Sequence, residues 1–247
     1  MNPEKNSWCN DWFNSPWYHK LYNKRDSSEA EHFIQQLLSN LKLPADAHVL
    51  DLACGKGRHS LALAKNNLDV IGIDLSTESI KEAKQFERDN LKFFVHDMRT
   101  VFRENYFDAV FNLFTSFGYS LVEADDVATI NAVKAELKQG GIFVLDFFNA
   151  EKVKRAVAQD PEGKLDEENC HISWIKKIKK NRVEKDIVVN ENGKIHRFHE
   201  LVSLYTKNDF LKFFGNDLEV RSIFGDYSLN EFDEDNSDRL IIVAKKK

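Results

Sequence analysis

Val49-Leu50-Asp51-Leu52-Ala53-Cys54-Gly55-Lys56-Gly57-Arg58-His59-Ser60 is the stretch that decides how this 247-residue chain is read. A short apolar run ends in an acid, and a turn of small residues then opens a helix. Small residues let a ligand approach the backbone, and a helix start presents unpaired N–H donors. A plain strand-to-helix turn would look similar, but a second feature stands beside it. Asp74 closes the next apolar run, 17 residues after Gly57. In dinucleotide-binding folds an acid about 20 residues beyond the glycine turn reads the ribose hydroxyls. The glycine series here is Gly55-x-Gly57-x-x-Ser60. The third glycine of G-x-G-x-x-G is missing, which disfavours a nicotinamide dinucleotide and suits a nucleoside ligand without a pyrophosphate.

Working outward, short apolar strands alternate with helical patterns from about 48 to 148. Strands are predicted at 48–53, 69–74, 92–96, 108–113 and 142–147. Helices are predicted at 60–67, 76–88 and 123–139, the last ending at Gly140-Gly141 as a C-cap. This alternation means βαβ units, a parallel sheet and helices on both faces. Upstream, residues 1–26 are irregular and aromatic, with Trp8, Trp12, Phe13, Trp17, Tyr18 and Tyr22 crowded together. Ser28-Glu29-Ala30-Glu31 reads as a capping box with Ser28 at the N-cap, followed by one apolar helix face that Pro44 ends. After about 155 the pattern changes. The segments 171–178, 182–189 and 194–205 are strand-like without intervening helices, and Asn192-Gly193 predicts a type I′ hairpin turn. A short helix at 207–214 and two strands at 218–224 and 239–244 complete the chain. One domain over 1–247 is the simplest division. It has an aromatic and helical cover at 1–45, a core at 46–150, an antiparallel insertion at 155–205 and a closing part at 206–247.

Composition narrows the classes. Hydrophobic residues are 42% and charged residues 30%, enough to bury a core, so wholesale disorder is excluded. No apolar run is long enough to span a membrane, and the polar N-terminus predicts no signal peptide, so a cytoplasmic protein without a membrane partner is expected. The net charge of −5, with both signs interspersed, argues against nucleic acid. Cys9, Cys54 and Cys170 are too scattered for a disulfide framework or a zinc site.

The chain resembles the class I S-adenosylmethionine-dependent methyltransferases. Asp51-Leu-Ala-Cys-Gly-Lys-Gly57 resembles their first motif, D/E-x-G-x-G-x-G. Asp74 matches the acid that ends their second strand. Asp97-Met98 matches the pair placed against adenine. Asn112-Leu113-Phe114-Thr115-Ser116-Phe117-Gly118-Tyr119 occupies the motif after the fourth strand, beside the methionine part of the cofactor. Leu137-Lys-Gln-Gly-Gly141 resembles the L-K-P-G-G turn, with Gln139 where Pro is usual. Two departures lie in the first motif. Ala53 replaces its first glycine, which is tolerable if φ stays negative, and Cys54 sits in the turn, where packing fits it better than nucleophilic chemistry.

The resemblance implies a doubly wound, seven-stranded, mostly parallel sheet with helices on both faces and an antiparallel C-terminal hairpin; the insertion adds a small antiparallel β unit. It implies S-adenosylmethionine as cofactor, bound by Asp51, Ala53, Gly55, Gly57, Asp74, Leu75, Asp97, Met98, Asn112 and Leu113. Tyr22 and Arg25 would hold its carboxylate, unless Arg25 pairs with Asp26 or Glu29. Methyl transfer is an in-line displacement in which positioning and water exclusion do most of the work. The motif after the fourth strand lacks the N/D-P-P-Y/F of amino-group methylation on bases, and no metal-binding acidic cluster stands out. His196 and His199 have an odd separation that would put them on opposite strand faces. The expected acceptor is an N or O atom of a small molecule, covered by the aromatic N-terminus and the insertion, with Tyr119 or His199 as base or orienter. The protein is expected to be a monomer or homodimer. An NAD(P)-linked oxidoreductase and an S-adenosylmethionine-binding regulatory protein without turnover are the alternatives.

Overall fold

A computed structural model of the protein describes residues 11–22 and 27–247. The strands are β1 (His48–Leu52), β2 (Asp69–Asp74), β3 (Leu91–Val95), β4 (Phe107–Asn112), β5 (Leu137–Phe148), β6 (Glu162–Glu167), β7 (Cys170–Lys179), β8 (Arg182–Glu191), β9 (Lys194–Ser203), β10 (Leu218–Phe224) and β11 (Arg239–Lys246). The helices are α1 (Pro16–Leu21), α2 (Ser27–Leu41), α3 (Arg58–Ala64), α4 (Thr77–Ala83), α5 (Glu123–Glu136), α6 (Ala150–Gln159) and α7 (Lys207–Phe214).

The larger sheet has seven strands in the order β10-β11-β5-β4-β1-β2-β3. β1 runs parallel to β2 and β4, as do β2 with β3 and β4 with β5, while β11 is antiparallel to both β5 and β10. Central strands covered on both faces read as continuous apolar runs, and β1 is buried at every position but His48. On one face Val49, Val70, Phe93 and Phe111 pack with Phe33, Ile34 and Leu37 of α2, Leu63 of α3 and Ile80 of α4. On the other, Leu50, Ile71, Val110 and Phe143 pack with Ile130 and Val133 of α5 and Phe210 and Phe214 of α7. The sheet is therefore doubly wound, as expected. The strand order reverses between β1 and β4, so the crevice lies beyond their carboxyl ends.

The smaller sheet is antiparallel, in the order β6-β7-β8-β9. Asn192 (φ 52°) and Gly193 (φ 82°) are both left-handed, the backbone a type I′ turn needs. Lys180 (φ 48°) and Asn181 (φ 58°) make the same turn between β7 and β8, without a glycine to announce it. One face of this sheet buries Cys170, Ile172, Ile187 and Val189 against Trp12, with Trp17, Tyr18, Tyr22 and Phe198 packed around them. Segment 11–22 is thus a second layer on the insertion.

Four local expectations are corrected. α2 begins at Ser27, so Ser28 lies within the helix and is not its cap. α5 ends at Glu136 and β5 already begins at Leu137, so Gly140-Gly141 is not a helix terminator. Phe107 pairs with Leu137 but Ala109 with Ile142; the glycines sit in the bulge this shift creates. The helix expected over 76–88 stops at Ala83 and gives way to a 3₁₀ turn at Lys84–Phe86. α6 and β6 fill 150–167, where no elements were foreseen.

Candidate functional site

The turn after β1 is built on left-handed backbone at Ala53 (φ 55°), Gly55 (φ 56°) and Gly57 (φ 83°). The expectation that Ala53 keeps φ negative is therefore wrong, and its left-handed conformation costs ~1–2 kcal/mol that the packed turn must offset. A Cβ on Gly57 would fall 2.6 Å from the Phe93 ring, whereas one on Gly55 would meet nothing within 4 Å. The turn is packed hard on the sheet side and open above Gly55.

Two carboxylates flank it. Asp51 is buried at the end of β1 and accepts the Ser60 hydroxyl at 2.5 Å, tying the strand to α3. Burial pushes Asp51 up to about pH 7, Ser60 acting the other way and Asp74 adding to the rise. Asp74, half-buried at the end of β2, accepts Gly55 N on Oδ2 and Ser76 N on Oδ1, both at 2.8 Å. Burial raises its pKa against these two bonds. Leu75 beside it is 52% exposed. Cys54 is buried, and its thiol is pushed up by burial first and then by Asp51 and Asp74, which suits packing better than nucleophilic chemistry.

After β3, Asp97 is clasped by Arg99. Nε donates to both carboxylate oxygens at 2.9 and 3.0 Å, and Nη1 reaches Asp125 at 2.9 Å. Burial of Asp97 alone would raise its pKa, but the Arg99 bonds outweigh it and hold the carboxyl below its usual value. Met98 packs against the core beside it. After β4, Asn112 is fully buried; its Nδ2 donates to Leu52 O at 3.3 Å, and its Oδ1 has no hydrogen-bond partner among the described residues. Leu113 is buried, and Phe114 (φ 66°) and Thr115 (φ 59°) follow in left-handed conformation. Tyr119 ends this loop, half-buried, with its ring 5.2 Å from Phe13.

Segment 11–22 reaches two parts of the crevice and the insertion. Phe13 meets Tyr119, and Asn14 Oδ1 accepts the Ser76 hydroxyl at 2.5 Å, two residues after Asp74. Tyr22 donates to Glu200 Oε2 at 2.8 Å and accepts from Lys185 Nζ at 3.1 Å. Lys185 and Glu200 are both nearly buried, and the Lys185 ammonium lies 4.7 Å from the Trp174 ring centre. Arg25 lies outside the described residues.

The structure does not bring His199 into this group. On β9 the side chains of Phe198, Glu200 and Val202 face segment 11–22 and the core, whereas His199 projects from the other face and pairs with Asp186 at 2.6 Å. His196 instead stacks on Trp17 at 4.2 Å, so the two histidines are on opposite faces as expected. Sequence reasoning missed Asn14, Arg99, Lys185 and Glu200. The more apolar alternation, Phe198 and Val202 against Arg197 and His199, was the available signal for which face of β9 turns inward.

These features fit a nucleoside cofactor. A backbone-lined turn lies open above Gly55, a half-exposed acid beside it is pre-oriented by two amides, and a buried amide oxygen of Asn112 is unmatched. These lie side by side along the ends of β2, β1 and β4, as an elongated nucleoside ligand requires.

Comparisons with known proteins agree. Residues 43–203 match the sequence profile of the methyltransferase domain family. A Geobacillus sp. (strain WCH70) protein named as a methyltransferase is 27% identical over 93% of this chain and 97% of its own. The glycine/sarcosine N-methyltransferase of Aphanothece halophytica is 37% identical over 51% of this chain and 48% of its own. The solved structure of an S-adenosylmethionine-dependent methyltransferase from Clostridium acetobutylicum ATCC 824 covers 96% of this chain and 99% of its own, with a TM-score of 0.80 at 20% identity. With the switch-point crevice, the glycine turn and this match in place, the chain belongs to the methyltransferase domain family and is an enzyme that uses S-adenosylmethionine.

Proposed function

We propose that the enzyme methylates a nitrogen or oxygen atom of a small molecule, and that segment 11–22 together with the insertion forms the cover of its acceptor site. The observation that carries this reading is the single aromatic layer running from Tyr119 through Phe13 and Tyr18 to Tyr22, with neighbouring rings 5.0–5.2 Å apart. It joins the loop after β4 to the insertion, and in this reading its ring surface would close the crevice against water. A nitrogen acceptor is favoured by the glycine/sarcosine N-methyltransferase relative. The chain acts as one domain in this reading.

When bound, S-adenosylmethionine supplies a sulfonium methyl group to an in-line nucleophile. Asp74 accepts from the ribose hydroxyls, Gly55 and its neighbours give the backbone close approach, and Asp97 and Met98 stand at the adenine. Asn112 and Leu113, buried beneath the loop after β4, would back the methionine part. Tyr119 orients the acceptor, and the Tyr22 hydroxyl, expected from the sequence to hold the cofactor carboxylate, is engaged by Lys185 and Glu200 and in this reading adds a polar group to the acceptor wall instead. His199, on the outer face, has no part. The test is release of S-adenosylhomocysteine by purified protein given S-adenosylmethionine and a panel of small amines and alcohols, with RNA and unfolded protein as competing acceptors. Turnover restricted to small molecules supports the reading, and turnover only on RNA or protein overturns it.

A further inference from the structure

The loop after β4 is strained where it turns. Phe114 and Thr115 are consecutive non-glycine residues with left-handed backbone (φ 66° and 59°). Such pairs persist only when their surroundings over-determine them. The surroundings here are specific. Asp146 of β5 has its side chain 1% exposed; its Oδ2 accepts the Phe114 amide at 2.8 Å and the Tyr227 hydroxyl at 3.2 Å. The Asp146 carbonyl accepts the Thr115 amide at 2.9 Å. Arg239 of β11 donates through Nε to Asp146 Oδ1 at 2.7 Å and through Nη2 to the Thr115 hydroxyl at 3.1 Å. The Phe114 amide is thus held by the Asp146 carboxylate, the Thr115 amide by the Asp146 carbonyl and the Thr115 hydroxyl by Arg239.

The same pair reaches the glycine turn. The Phe114 ring lies 5.0 Å from the guanidinium of Arg58, the residue after Gly57, and 5.9 Å from that of Arg239. His59 is half-buried beside Arg58, its ring 6.3 Å from that of Phe114; burial, then Arg58 and Arg239, push its pKa down to about 3. The tip of β5 therefore fixes the loop after β4 to the turn after β1, the two walls of the crevice between β1 and β4.

We propose that Asp146 and Arg239 are positioning residues for methyl transfer: they hold Phe114 and Thr115 left-handed so that the loop after β4 is already set against the amino-acid end of the cofactor when it binds. This rests on the placement of the ribose at Asp74, which puts the rest of an elongated ligand across β1 toward β4. Pre-set geometry of this kind lowers the ordering cost of binding and of the transfer step.

The test compares two ligands by calorimetry. S-adenosylhomocysteine carries the amino-acid end, and 5′-methylthioadenosine lacks it. Arg239→Lys loses the fixed fork whose Nε and Nη2 span Asp146 and Thr115, and should weaken S-adenosylhomocysteine about tenfold while leaving 5′-methylthioadenosine within about twofold. Tyr227→Phe removes only one O–H donor and should shift the same ratio about threefold; it carries the test if Arg239→Lys does not fold. Adding Thr115→Gly to Arg239→Lys makes the left-handed backbone intrinsically accessible and should recover most of the loss. Equal loss of both ligands, or no recovery in the double variant, would overturn the proposal. Native protein that binds neither ligand would overturn the cofactor placement beneath it; native binding of both with an unchanged ratio in the variants removes the positioning role alone.

Discussion

The amide of Gly55 donates to the carboxylate of Asp74 at 2.8 Å, so the glycine turn of β1 and the acid of β2 form one hydrogen-bonded unit. Loss of the Asp74 side chain should therefore act twice, removing the ribose acceptor and releasing the turn. A charge-assisted hydrogen bond is worth ~1.5–3 kcal/mol, which is roughly 10- to 150-fold in affinity. Asp74→Ala is expected to weaken S-adenosylmethionine by that factor in calorimetric titration. Asp74→Asn offers one acceptor oxygen for the two amides and should fall between. An affinity within about twofold of native for Asp74→Ala would refute the assignment.

The Asp97–Arg99 clasp changes what the adenine prediction means. Arg99 keeps Asp97 ionised and aimed, with Asp125 as its second anchor. Asp97→Asn keeps shape but exchanges acceptor for donor capacity. The preference for S-adenosylmethionine over its deaminated inosine analogue should fall about tenfold, the scale of one good hydrogen bond. Arg99→Met should lower it less, since Asp97 stays an acceptor but loses its orientation. Unchanged preference in Asp97→Asn, measured by competition binding, would withdraw Asp97 from the adenine.

Glu136 gives a prediction about stability with pH. It is 1% exposed at the end of α5; Oε1 accepts the Phe102 amide at 2.8 Å, and Oε2 has no hydrogen-bond partner among the described residues. Burial raises its pKa to about 7, against the Phe102 bond. The folded state thus binds the proton more tightly than the unfolded chain. The stabilisation is fully present below about pH 4.5 and is lost as pH rises through about 7. Glu136→Gln, which stays neutral, should gain relative to native over that window, by up to about 3 kcal/mol. Urea unfolding of both proteins at pH 5 and pH 8 checks the sign; an advantage that shrinks toward pH 8 would contradict it.

The parallel core was readable because its signals are local. Buried on both faces, β1, β2 and β4 are continuous apolar runs, and Asp51, Gly55, Gly57 and Asp74 stand at the strand ends where a switch-point crevice has to lie. What was not readable depends on partners distant in the chain. Nothing near Asp146 announces Arg239, 93 residues on, and nothing near Tyr22 announces Glu200, 178 residues on. Thr115 gave no sign of left-handed backbone, and Ala53 only the glycine that the resembled motif has in its place, because strain is imposed by what surrounds a residue and not by the residue itself. Gly140-Gly141 misled for a related reason: a glycine pair after a helical pattern fits a C-cap and a strand bulge equally well, and only the pairing with Phe107 and Ala109 decides. Strand alternation placed His196 and His199 on opposite faces correctly, yet left open which face turns inward.

The cover gives the last prediction. Trp12 is fully buried, 5.6 Å from the Tyr18 ring and 5.0 Å from the Phe198 ring, so segment 11–22 and β9 hold each other in place. Phe198→Ala removes one side of that contact and, the ring being only partly buried, should cost ~1–3 kcal/mol locally. Because the contact lies between cover and insertion, the loss should appear as opening of the cover before global unfolding. Tryptophan emission from Trp12 and Trp17 should then shift to the red at temperatures where the far-ultraviolet spectrum of the core is unchanged. Affinity for S-adenosylmethionine should stay within a few-fold of native, since the turn, Asp74 and the loop after β4 belong to the other sheet, while methyl transfer falls because water enters. Replacing 160–203 with a Gly-Ser linker is the severe form of the same experiment and should abolish transfer altogether. Scattering measurements on both proteins separate a cover from an interface between copies. A native dimer that becomes a monomer in the Phe198→Ala protein, or loss of S-adenosylmethionine binding in a folded variant, would show that the insertion does something other than close the acceptor site.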